Sequence, residues 1–285
     1  MRSGRSPWSA PTRDAPMTAP AAVSSDLAFA NDLAREAGRL LMDRYERVER
    51  VDYKSARDIV TEVDHLSEEL IIAAIRARNP DDGIQAEESG DHASGEGHEP
   101  AAGNGRVWII DPVDGTINYA NGIPFFCVSI ALSVDGRPSV GVVFDPTRDE
   151  LFAASIDGPA TLDGEPIEAS DKDKLTDFVV QMALSGRSVA TRARAVRKAI
   201  RISRSMGSSA LALSYVANGR FDAFIQQGGM SNWDVAAAGL IAERAGAVVT
   251  GMDGGLWFDA SSKPGSVGVL AAPAAHHATL LALTK

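Results

Sequence analysis

The chain has 285 residues, a formal net charge of −10, a sequence pI near 5.0 and 45% hydrophobic residues. Such a chain can bury a large core, and its acidic excess argues against nonspecific binding to nucleic acid or to an anionic membrane, both of which need clustered Lys and Arg. The single cysteine, Cys127, excludes an intrachain disulfide and leans towards a reducing, cytoplasmic setting.

Residues 1–25 are rich in Pro, Ala, Ser and Arg and lack the apolar run of a secretory signal. They read as a disordered tail, with Met17 an alternative start, ahead of a folded unit over 26–285. Leu27, Ala30, Leu33, Ala37, Leu40 and Leu41 recur at helical spacing and predict a helix over 26–44. A second helix is expected from 61–64, with Leu66, Leu70, Ile71 and Ala74 on its apolar face, stopping at Asn79 and Pro80. A short buried strand at 83–86 then delivers Glu87 and Glu88. Residues 91–105 are polar, Gly-rich and without periodicity, and read as a mobile surface loop. An apolar strand over 106–110 ends in Asp111, with Pro112 expected to break it.

Cys127 follows in the apolar run of Phe125, Phe126 and Val128, as a small core residue rather than a reactive thiol. Strands at 126–134, 138–144 and 150–155, parted by turn signals at Asp135-Gly136 and Asp145-Pro146, predict an antiparallel meander. Gly, Pro and Asp crowd residues 157–175, a soft boundary between two subdomains. Beyond it, strands at 178–184, 221–226, 247–250 and 267–271 alternate with helices at 189–200, 208–218, 234–245 and 273–283. The pattern is that of a layered, mixed α/β protein.

The carboxylates carry the chemistry. Asp111 and Asp114 follow directly on a buried strand, with Gly115 free to take an unusual backbone angle. Such a turn gathers two carboxylates and the Val113 carbonyl, hard oxygens suited to Mg²⁺. Gly115 and Thr116 then open a short helix whose N–H groups and hydroxyl can hold a phosphate oxygen. Taken singly, each acid has a plain explanation: an exposed turn, a solvated Glu87–Glu88 pair, or Asp234 capping its helix. All of them, however, stand at the ends of apolar elements, and carboxylates brought together without cations repel strongly. The histidines match no metal spacing, which speaks against zinc.

The run from Asp111 to Asn118, DPVDGTIN, resembles the DPxDGTxN signature of the inositol monophosphatase-like family of lithium-sensitive phosphatases. The run from Trp233 to Ile241 is similar to its WDxAAxxxI signature, Glu87-Glu88-Ser89 to its GEES segment, and the run from Asp58 to Asp64 to its DLVTxxD segment. Order and spacing agree from about residue 26 to the C-terminus.

That resemblance implies an αβαβα sandwich, commonly homodimeric, and two or three Mg²⁺ ions. It implies metal ligation by Glu88, Asp111, the Val113 carbonyl, Asp114 and Asp234, with Asp64 acting through water on a third ion. Asp64 and Thr116, with Glu88, would orient and deprotonate the attacking water. Gly115, Thr116, Ser209, Gln227 and Asp234 would meet the substrate, with Asp58 and Lys54 in support. Two departures lie on the leaving-group side. Gln227 stands where animal inositol monophosphatases have a glutamate that contacts a substrate hydroxyl, and Ser231 where they have a histidine.

The expected activity is therefore hydrolysis of a small phosphorylated metabolite by metal-activated water, without nucleic-acid or membrane partners. Inositol 1-phosphate or a related sugar phosphate comes first. Histidinol phosphate, fructose 1,6-bisphosphate and 3′-phosphonucleotides are alternatives. A metal-independent glycosidase leaves the clustered aspartates unexplained, and a regulatory scaffold retaining the fold is the non-enzymatic alternative.

Overall fold

The computed structural model describes residues 20–48, 50–55, 58–92 and 105–285, and only the backbone at 20–22, 54, 55 and 58. Residues 1–19 of the tail expected at 1–25, most of the loop expected at 91–105, and the side chains of Lys54 and Asp58 lie outside the described residues.

The first apolar periodicity forms α1 (Pro20–Arg44). Residues 20–25, assigned to the tail from sequence, are helical: Val23 continues the buried stripe of Ala30, Leu33, Ala37 and Leu41, and Pro suits a first helical turn, where an N–H would lack a partner. A hairpin of β1 (Val51–Ser55) and β2 (Asp58–Thr61) leads into α2 (Glu62–Arg78), whose N-cap is Thr61. Next come β3 (Gly83–Ala86), β4 (Gly90–His92), β5 (Arg106–Asp114), the short α3 (Thr116–Ala120), β6 (Cys127–Val134), β7 (Arg137–Asp145), β8 (Glu150–Ser155), β9 (Thr161–Leu162) and β10 (Glu165–Pro166). These strands form an eight-stranded sheet in the order β10-β9-β8-β7-β6-β5-β3-β4, antiparallel except between β3 and β5. The expected meander is β6-β7-β8. Asp91 and His92, expected in the loop, instead pair with β3.

The rest of the chain supplies β11 (Val179–Ala183), α4 (Val189–Ala199), β12 (Ile202–Arg204), α5 (Ser209–Ala217), β13 (Ala223–Met230), α6 (Asn232–Arg244), β14 (Val248–Gly251), β15 (Val267–Ala272) and α7 (Ala274–Leu283). Its five strands order as β12-β11-β13-β15-β14, with β12, β11 and β13 parallel and β15 antiparallel to both neighbours.

Burial explains the layering. β6 and β7 are buried on both faces almost throughout, so helices must cover the large sheet on each side. α5 is apolar all round, with Ala210 to Ala217 all buried, as a helix between two layers must be. α1 and α2 pack on one face of the large sheet around Leu41, Ile71, Ile110 and Phe126. α5 and α6 fill the space between the sheets around Leu211, Phe224 and Ile241. α4 and α7 close the outer face of the small sheet around Val180, Val196 and Leu280. The layers run αβαβα. α6 lies so close to β7 that a Cβ on Gly141 would stand 2.7 Å from the Ala237 carbonyl oxygen. Among the described residues no helix is long and apolar enough to cross a membrane.

Candidate active site

Contrary to expectation, β5 does not end at Pro112 but runs on to Asp114 through an irregularity. Asp111 pairs with Ser129 and Asp114 with Cys127, so two residues of β5 oppose one of β6. The extra residue has a chemical consequence. Side chains three apart on a regular strand point to opposite faces, and the bulge brings Asp111 and Asp114 to the same side. Pro112 is tolerated because it sits in the irregular step, where no ladder N–H is needed. Gly115 then takes φ 98°, and a Cβ there would stand 3.1 Å from both the Phe125 carbonyl oxygen and Ser208 Cβ.

Asp234 completes the group from the first turn of α6, where its Oδ2 also accepts the Ser231 N–H at 2.6 Å. One carboxylate oxygen from each of Asp111, Asp114 and Asp234 lies within 4.8 Å of the others. They line a cleft of about 1110 Å³, together with Glu87, Glu88 and Thr116.

The structure sets Glu87, not Glu88, beside Asp111. Parallel pairing of β3 with β5 aligns Ala86 with Ile110, and Glu87 N–H continues the ladder to the Ile110 carbonyl at 3.2 Å. One further step places Glu87 against Asp111. Glu88, expected as the ligand, lines the cleft a residue further on, its N–H given to Glu68 Oε2 at 2.9 Å. Burial pushes the Asp111 carboxyl well above its ordinary range, and the charges of Glu87, Asp114 and Asp234 push it further.

Asp114 is anchored from the other side of the molecule. Its carboxylate accepts the N–H groups of Ser209 at 3.1 Å and Ala210 at 2.7 Å, and the Ser208 hydroxyl. These are the unpaired donors at the start of α5, where an anion is favoured. Burial still raises the Asp114 carboxyl, although these hydrogen bonds oppose it. Ser208 also caps α5 through Leu211 N–H at 3.4 Å. Burial, then the Asp114 charge, pushes the Cys127 thiol well above its ordinary value, which fits a neutral core side chain.

Asp64 contacts both Thr61 and Thr116. Its Oδ2 closes the capping box on Thr61 N–H at 2.9 Å, while its Oδ1 accepts from Thr116 Oγ1 at 3.0 Å. Thr116 Oγ1 is equally 3.0 Å from the Val113 carbonyl, and its one proton can serve only one acceptor at a time. Asp64 is fully buried behind Thr116, which lines the cleft.

Ser209 and Gly115 line the cleft as expected, but Gln227 does not. It faces a neighbouring cavity of about 460 Å³ with Asp253 and Trp257, which meets the cleft at Ser262. Its side-chain oxygen is taken by the buried Arg192, which also holds the Ser185 and Arg187 carbonyls at 2.6 and 2.8 Å. Ser231 is at the cleft wall and accepts Gly265 N–H at 3.0 Å. Asn118 was quoted from the sequence without a role. Its amide donates to the Phe125 and Met206 carbonyls at 2.6 and 2.8 Å, tying the turn after β5 to the segment before α5.

A divalent cation fits this donor set. Asp111 and Asp114 are buried with raised carboxyls, Asp234 brings a third carboxylate within 4.8 Å, and hard oxygens so gathered suit Mg²⁺ or a similar ion.

Known proteins resemble the chain in sequence and in fold. A Nus factor SuhB from Xylella fastidiosa is 38% identical over 231 residues, covering 78% of this chain and 80% of the relative. A fructose-1,6-bisphosphatase/inositol-1-monophosphatase from Thermotoga maritima is 36% identical over 233 residues, covering 80% and 85%. Among solved structures, the extragenic suppressor protein suhB from Bartonella henselae superposes with a TM-score of 0.81 at 30% identity, covering 92% of this chain and 98% of that one. The family model described as the inositol monophosphatase family matches residues 22–285, and with its carboxylates brought to one cleft on an αβαβα frame the chain belongs to that family.

Proposed function

We propose that the chain is a Mg²⁺-dependent phosphomonoesterase acting on a small phosphorylated metabolite. The observation that carries this reading is the convergence of Asp111, Asp114 and Asp234 within 4.8 Å at the floor of a cleft. Asp111, Asp114, Asp234 and the Val113 carbonyl would hold the cations, with Glu87 in the place assigned from sequence to Glu88. Bound cations would supply positive charge for the phosphoryl oxygens and lower the pKa of a water.

The chain's own residues then have distinct tasks. Gly115 and Thr116, at the turn beside the carboxylates, orient the phosphate. A water that donates to Thr116 Oγ1 has a path for its proton to Asp64 Oδ1, 3.0 Å beyond. Attack on phosphorus opposite the ester oxygen breaks that P–O bond, and the departing alcohol takes up a proton. Inositol 1-phosphate is the first substrate to try and histidinol phosphate the second. Gln227, already engaged by Arg192, weakens the case for a direct contact to an inositol hydroxyl.

A second reading rests on the names of relatives. Several are called Nus factor SuhB rather than phosphatase, which keeps a regulatory role, and partners beyond a small metabolite, in play. Phosphate release from inositol 1-phosphate, histidinol phosphate, fructose 1,6-bisphosphate and adenosine 3′,5′-bisphosphate decides between them. Each is assayed with Mg²⁺, with EDTA, with added Li⁺ and with Asp234→Asn, while sedimentation tests the expected dimer. Release that needs Mg²⁺ and vanishes in the variant supports the enzyme. A folded protein that releases nothing brings the regulatory reading forward.

A further inference from the structure

Glu68 is a buried carboxylate, 3% exposed, on α2, and it stands outside the metal set. Its two oxygens take up two donors of the same turn: Oε2 accepts Glu88 N–H at 2.9 Å and Oε1 accepts the Ser89 hydroxyl at 2.5 Å. Ser89 Oγ lies 2.6 Å from His92 Nε2, so with its proton given to Glu68 it accepts in turn from the imidazole. The turn is braced at its far end as well, by Gln85 Nε2 on Asp91 Oδ1 at 3.1 Å and Arg76 Nη2 on the His92 carbonyl at 3.3 Å.

The position of these bonds matters. The β3–β5 ladder ends with Glu87 N–H on the Ile110 carbonyl. Glu88 N–H is the first donor beyond the ladder, and Glu68 takes it. The backbone on either side of the Glu87 side chain is thereby fixed, on one side by β5 and on the other by α2. We propose that Glu68 is a positioning residue, which through the turn of residues 87–89 holds Glu87 against Asp111 and so sets the divalent-cation affinity of the cleft. This rests on the metal-dependent reading above. Groups that orient metal ligands in this way typically contribute roughly 10–100-fold in affinity when removed.

The test is calorimetric titration of Mg²⁺ into the full chain without substrate, for wild type, Glu68→Ala, Glu68→Gln and Ser89→Ala. Thermal unfolding is followed in EDTA. Leu280→Ala, in the core under α7, serves as a variant destabilised far from the cleft. Glu68→Ala should weaken Mg²⁺ binding by roughly tenfold or more. Glu68→Gln, which keeps one acceptor, should recover part of the loss, and Ser89→Ala should fall between. Leu280→Ala should bind Mg²⁺ like wild type at temperatures where it is folded. Wild-type Mg²⁺ affinity in folded Glu68→Ala overturns the inference, as does an equal loss in Leu280→Ala. If Glu68→Ala does not fold, Glu68→Gln and Ser89→Ala decide by the same criterion. A wild-type protein that binds no divalent cation overturns the metal-dependent reading itself, an outcome distinct from these.

Discussion

Gly141→Ala should disable the cleft by displacing α6, which carries Asp234. A Cβ at Gly141 would lie 2.7 Å from Ala237 O, 2.9 Å from its Cα and 3.1 Å from its C. Ordinary contact begins near 3.4 Å, so the helix must retreat by about 0.7 Å. None of the obstructing atoms belongs to a side chain that can turn away. They are backbone of α6, whose residues from Val235 to Ala242 are all buried, so the helix moves as a body. Overpacking of this kind costs roughly 1–3 kcal/mol. Asp234 is less than one turn from Ala237 and moves with it. A misplacement on the order of 1 Å can lower a rate by roughly 10²-fold, so kcat/KM should fall by about 10- to 100-fold and the Mg²⁺ requirement should rise. Phosphate release against Mg²⁺ concentration and urea unfolding measure the two effects. Gly239→Ala is the contrast, because its Cβ meets the Trp257 ring at 2.5 Å, a side chain that can rotate, so stability should fall with much less change in Mg²⁺ dependence. A Gly141→Ala enzyme with unaltered activity and Mg²⁺ dependence would refute the idea that this contact places Asp234.

Ser208→Ala removes a hydroxyl from buried Asp114; a hydrogen bond to a charged group contributes about 1.5–3 kcal/mol, and a loss in that range should appear in urea unfolding with Mg²⁺ present, while Ser208→Thr should retain most of it. The raised Asp111 carboxyl gives a pH prediction. The folded, metal-free protein holds this proton to higher pH than the unfolded chain, so the contribution of Asp111 to stability is fully present below the ordinary value of 3.8 and is lost as pH rises through the folded value. Asp111→Asn should flatten that decline in melting curves taken in EDTA, and added Mg²⁺ should reverse it in the wild type. Asp64→Asn keeps an acceptor for Thr116 but loses the base, so kcat should drop by roughly 10²–10⁴-fold with little change in KM, and an unchanged kcat would remove Asp64 from the proton path.

How much was legible in the sequence depended on how local the cause was. The starts of α2 and α5 could be read because Thr61 and Ser208 cap them within one turn, whereas α6, expected from Asp234, begins at Asn232 with Ser231 as its cap and Asp234 in its first turn. Asp111 and Asp114 were marked by the apolar strand before them and the Pro and Gly around them. The bulge that turns both to one side was hidden, because it exists only as a register between β5 and β6. The placing of Glu87 beside Asp111 was hidden for the same reason: adjacent identical residues differ only in what β5 sets beside them. Gln227 was placed at the substrate by resemblance, whereas Arg192, 35 positions away, draws its oxygen to another cavity. The three-residue β4 and β12 are too short to show an apolar alternation, and β1 alternates Val51 and Tyr53 with polar residues but leaves both exposed. The middle layer did leave a trace, since Leu211, Ala212 and Leu213 give α5 no polar face.

The grip of α5 on Asp114 joins positions 96 apart, and ties the large sheet to the helical layer between the sheets. No segment of the chain can therefore form the cleft alone, and cation binding becomes a gauge of completed docking. A divalent cation that binds only the docked form favours it by mass action. Damage to the middle layer, even far from the carboxylates, should then show first as a weaker grip on Mg²⁺, while helices and strands remain intact. The metal requirement of such variants would be a more sensitive measure of assembly than their circular dichroism.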